Sequence, residues 1–99
     1  MVGRDGFIAV YMMSNRRHGT LYIGVTSDLI TRVTQHRSGE LEGFTRRHGL
    51  DRLVWYEQWE SISEAIHREK SLKKYKREWK VNLIERENPD WADLYPGFF

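Results

Sequence analysis

Ninety-nine residues suffice for one domain, chain positions 1–99, able to bury about 65% of its unfolded surface without staples. The absence of Cys excludes disulfide frameworks, thiolate zinc sites and cysteine nucleophiles. No apolar stretch approaches the roughly 18 residues of a membrane span and no signal peptide is visible, so the expectation is a cytoplasmic protein without membrane contact. In chain order, Phe7 to Met13 is an unbroken apolar run ending in a polar, Gly-containing segment, Ser14 to Thr20. Leu21-Tyr22-Ile23 follows, β-branched and aromatic, and the two runs read as strands of one hairpin. Thr26-Ser27-Asp28 offers an N-cap to an amphipathic helix that opens at Leu29 and ends near Ser38-Gly39. Residues 40–51 lack a period and read as a loop. Leu53 to Tyr56 reads as a third strand. Ser61-Ile62-Ser63-Glu64 is a capping-box pattern opening a helix through about Tyr75. A last helix takes in Trp79, Leu83 and Ile84 and stops at Asn88-Pro89. The aromatic tail, Trp91 to Phe99, is expected to pack back on the domain. The order β-β-α-β-α-α is an α+β domain: a three-stranded antiparallel sheet flanked by helices.

Net charge is only +2, but its distribution is uneven. Seven basic residues lie between Arg68 and Lys80 against two acidic ones, with Tyr75 and Trp79 interleaved. That is the footprint of a polyanion binder, or else a solvated helix face. Glu69 is the sharpest single signal. It falls in the stripe Ile62, Ala65, Ile66, Leu72, where the period asks for an apolar residue. An unpaired buried carboxylate costs several kcal/mol, so it needs a bound cation, a water-filled cleft, or a partner such as Arg32 or Arg68. Tyr11 and Tyr22 can emerge on one sheet face, as catalytic groups or as core residues with hydroxyls satisfied at the rim. Arg32 and His36, four apart, stack on one helix face. The four His lack metal-ligand spacing, and no Gly-rich phosphate loop occurs.

Ala9-Val10-Tyr11, followed eleven residues later by Tyr22-Ile23-Gly24, resembles the GIY-YIG nuclease superfamily. Its first motif is reduced here to the tyrosine, and its second is intact. The resemblance covers about residues 7–89, and it is to the small stand-alone bacterial members. It implies a metal-dependent endonuclease that hydrolyses DNA phosphodiester bonds, in repair or recombination. By resemblance, Tyr11 is the general base and Glu69 holds one Mg²⁺ or Mn²⁺. Arg32 neutralises a phosphate oxygen, while Tyr22 and His36 orient phosphate or water. A phenol with an ordinary pKa near 10 needs nearby positive charge to act as a base at neutral pH.

Gly24, Arg46, Lys70, Lys73, Lys74, Lys76 and Arg77 are the expected nucleic-acid contacts, Gly24 by letting a phosphate approach the backbone. Thr45 stands where relatives often carry Lys or His. Asn82 and Asn88 are candidates for an asparagine that the superfamily places near its site. The rival reading is a non-catalytic nucleic-acid-binding module derived from the nuclease fold. A partner protein supplying targeting, and a homodimeric scaffold built on the tail, are the remaining readings.

Overall fold

The computed structural model describes residues 6–40 and 43–99; positions 41 and 42 of the expected loop lie outside it. The strands are β1 (Ile8–Ser14), β2 (Leu21–Thr26) and β3 (Arg52–Trp59). All pairings are antiparallel, in the order β2-β1-β3. The central position explains the unbroken apolar run: Ala9 to Met13 on β1 are all fully buried, covered on both faces. β1 and β3 slip register once, between Met12 and Met13. The connection between β1 and β2 is shaped by its own polar groups. Asn15 Oδ1 accepts from the Thr20 N–H at 3.1 Å, and the Gly19 N–H donates to the Arg16 carbonyl at 2.9 Å.

The helices are α1 (Leu29–Ser38), α2 (Phe44–Arg47), α3 (Ile62–Lys73) and α4 (Arg77–Glu87), with a 3-10 turn at Tyr95–Phe98. Asp28 caps α1 by accepting from the Thr31 N–H, and Gly39, at φ 78°, ends it in the left-handed conformation. Ser61 caps α3 through the Glu64 N–H. The short helix α2 corrects the loop expected over residues 40–51. One turn is below the length at which periodicity can register.

Two cores sit on opposite faces of the sheet. Val10, Met12, Ile23 and Val54 pack against Ala65 and Leu72 of α3 and Ile84 of α4. Ala9, Tyr11 and Met13 pack against Leu29 and Val33 of α1, with Leu50 and Leu53. Ile62 and Ile66 correct the stripe expected on α3. They stand exposed, and only Ala65 and Leu72 are buried, so the helix meets the sheet along a narrower line. The tail does fold back: Trp91 is fully buried, and Leu94 donates to the Leu53 carbonyl at 2.8 Å.

Candidate active site

The register of the hairpin builds the site. Tyr11 lies opposite Gly24 and Met13 opposite Tyr22, so both phenols share the α1 face. A Cβ on Gly24 would sit 2.6 Å from the Tyr11 Cζ and Oη. The space left by glycine is therefore filled by the Tyr11 ring, which corrects the expectation that it receives a phosphate.

From α1, His36 closes the cluster. Its Nε2 shares a hydrogen bond of 2.9 Å with Tyr11 Oη, in a direction set by the imidazole tautomer. The imidazole meets the Tyr11 and Tyr22 rings edge-on, each at 5.6 Å between centroids, and the two tyrosines lie 6.2 Å apart. Burial sets the electrostatics. It pushes the His36 pKa down to about 4, and the Arg32 guanidinium one turn away adds to the effect. The imidazole is neutral at physiological pH. Tyr11, fully buried, is pushed well above the usual phenol range, first by burial and then by Tyr22; Arg32 pulls the other way.

Beside His36, Thr45 and Arg46 of α2 line a shallow cleft of about 200 Å³ with Arg37 and Asp51. Thr45 is buried and Arg46 exposed. Arg37 was not anticipated. It pairs with Asp93 and lies over the Tyr95 ring at 4.6 Å, tying the tail to α1. Asp93 and Tyr95 lie 56 or more positions away, and the Asp51 carbonyl that it also meets lies 14 away, so no local pattern in the sequence could have signalled these contacts.

Glu69 approaches from α3, whose Ala65 and Leu72 belong to the core on the other face. Its side chain is only 13% exposed, and its carboxylate pairs with Lys73 at 3.0 Å. It makes no hydrogen bond to Tyr11 or Tyr22 among the described residues. Neither expected arginine partner holds it: Arg68 grips Glu57 through Nε at 2.9 Å, and Arg32 lies with the tyrosines. The sheet thus gathers Tyr11, Tyr22, Arg32 and His36 but leaves Glu69 outside that contact network.

Of the remaining candidates, Lys70, Lys73, Lys74 and Lys76 are exposed at the junction of α3 and α4. Arg77 is already engaged, donating to the carbonyls of His18 and Gly19 at 3.0 and 2.6 Å. Asn82 is exposed on α4. Asn88 is buried, its amide donating to the Val54 and Ala92 carbonyls while Oδ1 accepts from the Ala92 N–H. Every polar atom of Asn88 has an internal partner, so its position reads as a clasp for the tail.

Residues 7–82 match the family model of the GIY-YIG catalytic domain. The chain belongs to that family. UPF0213 proteins of Staphylococcus aureus strains N315 and Mu50 are each 37% identical over 67 residues, covering 68% of this chain and 82% of theirs. A UPF0213 protein of Bacillus halodurans, solved in solution by NMR, superposes with a TM-score of 0.54 at 29% identity, covering 87% of this chain and 90% of that one. The GIY-YIG architecture and a nuclease-type domain are therefore common ground. Among the described residues, no helix is long and apolar enough to cross a membrane.

Proposed function

We propose that this GIY-YIG domain is a cytoplasmic, divalent-metal-dependent endonuclease acting on DNA phosphodiester bonds. The observation that supports it most is the Tyr11–His36 hydrogen bond at the centre of the sheet, with Tyr22 and Arg32 around it. A bare tyrosinate is costly where burial raises the phenol pKa. A relay avoids it: the attacking water gives its proton to Tyr11 Oη as Tyr11 passes its own to His36 Nε2. The water oxygen then forms a bond to phosphorus while the bond to the leaving 3′ oxygen breaks. The relay needs Nε2 unprotonated, which the neutral imidazole allows. Arg32 offsets charge on the phosphate, and Tyr22 orients it.

The donor set fits a hard cation. Glu69 is a single, largely buried carboxylate already paired with an ammonium, and no cluster of three or more His, Cys, Asp or Glu occurs among the described residues. One carboxylate plus retained waters suits Mg²⁺ or Mn²⁺ and does not suit zinc. When bound, such an ion supplies positive charge against the phosphate and the leaving oxygen. Lys73 must then yield the carboxylate.

The non-catalytic binding module is favoured by one observation: Tyr11 is fully buried with a raised pKa, as a satisfied core tyrosine would be. Glu69→Gln separates the two. Lys73 is 54% exposed, so losing its ion pair should change stability by under about 1 kcal/mol. Cleavage in Mg²⁺ should nevertheless fall by about 10² or more, with DNA affinity held or slightly raised. A wild-type chain that cuts neither branched nor duplex DNA in Mg²⁺ or Mn²⁺ would leave the binding module standing.

A further inference from the structure

Trp79 is the most exposed tryptophan described, 48% accessible, on α4 and away from the tyrosine cluster. A single exposed apolar side chain is ordinary; what sets Trp79 apart is the cluster around it. Tyr75 stands edge-on to it at 5.5 Å and 87°, fixing the ring from one side. Lys76 Nζ lies over the ring at 5.5 Å from its centroid. Together with Arg68, Asn82, Leu83 and Arg86, the two aromatics line a groove of about 430 Å³. Residues 79, 82, 83 and 86 follow helical spacing on one face of α4, and Tyr75 reaches the same groove from the bend before that helix. Arg68 is neutralised by Glu57, but Lys80 and Arg86 make no ion pair among the described residues. A second copy of this chain would bring the same cations against these, so like charge opposes self-association on this face. An anionic partner with a flat π-surface fits it.

We propose that this groove binds an unpaired base of single-stranded DNA, stacked on Trp79, with Lys76, Lys80 and Arg86 on the flanking phosphates. Asn82 lies at the rim, where an amide can meet a base edge. The inference rests on the nuclease reading for the choice of DNA and deepens it by naming the substrate class: strands with unpaired segments. A paired base within a duplex is stacked on its neighbours and cannot present its face to an indole.

Binding of labelled oligo(dT) and of a blunt duplex is measured by anisotropy in EDTA, so that no cleavage intervenes, for the wild type, Trp79→Ala and Trp79→Phe. Trp79→Ala should weaken oligo(dT) about tenfold or more, with Trp79→Phe falling between it and the wild type, because the phenyl ring still stacks. Duplex affinity should stay within about threefold, and the salt slope for oligo(dT) should be unchanged, since no phosphate contact is lost. Equal weakening of both ligands, or of neither, overturns the inference. Oligo(U) bound more tightly than oligo(dT) through Trp79 assigns the groove to RNA and overturns it as well. If the wild type cuts DNA yet is indifferent to Trp79, this inference alone falls. If the wild type binds neither strand nor duplex, the nuclease reading falls with it.

Discussion

His36 is the residue on which burial and function pull hardest. Its Nδ1 is buried with no hydrogen-bond partner, while Nε2 is committed to Tyr11. Folding lowers its pKa from 6.5 to about 4, so the unfolded chain binds the proton more readily. The contribution to stability is therefore complete above pH 6.5 and is lost as pH falls toward 4, up to about 3 kcal/mol, levelling off below. Imidazole NMR titration of the folded protein should show a neutral ring through pH 5. A midpoint near 6.5 would mean that the ring is solvated and the Tyr11 bond is not maintained. The resemblance grouped Tyr11, Tyr22, Arg32 and His36, and the structure brings these four side chains together. The sequence could not supply their protonation, because a pKa depends on what is packed around the ring. The role of Gly24 was misread for the same reason: only the cross-strand register shows that the Tyr11 ring lies against it.

At the scale of elements, local signals were legible and long-range ones were not. Asp28, Gly39 and Ser61 mark helix ends by chemistry confined to a few neighbouring residues, and α1 and α3 begin where those caps stand. The stripe on α3 misled because a helix lying across β2 and β1 buries only the residues along its contact line. The tail is held by contacts far apart in sequence: Asn88 to Val54, Arg52 to the Trp91 carbonyl, Arg37 to Asp93. Asn88→Ala removes the donor to the Val54 carbonyl and both bonds to Ala92, leaving buried groups unpaired. The cost should be about 2–4 kcal/mol, lowering the melting temperature by roughly 10 °C or more. Proteolysis after residue 90 should accelerate. A melt unchanged within a degree or two would show that water replaces the clasp and that Asn88 is free for another role.

Across the whole molecule, a net charge of +2 conceals an uneven distribution of charge along the chain. Two of the acidic residues near the C-terminus are held internally, Glu85 by the Trp91 indole at 2.7 Å and by His18, and Asp93 by Arg37, while Glu87 and Asp90 stand exposed. The lysines around the α3–α4 junction face water, and Lys70 and Lys74 make no ion pair among the described residues. The exposed lysines at this junction leave a local positive field that favours a phosphate backbone. Lys73 is a poor probe of that field because it also holds Glu69. Lys70→Ala combined with Lys74→Ala removes two cations and leaves Glu69, Arg68 and Trp79 with their partners. Duplex affinity should then drop for every sequence alike, and the slope of log K against log salt should become shallower by about 2, near 0.9 for each lost phosphate contact. A slope identical to that of the wild type would mean that the DNA does not run over this junction. The basic face would then be a solvated helix surface, and the grip on substrate would have to come from Arg46 and the cleft beside His36.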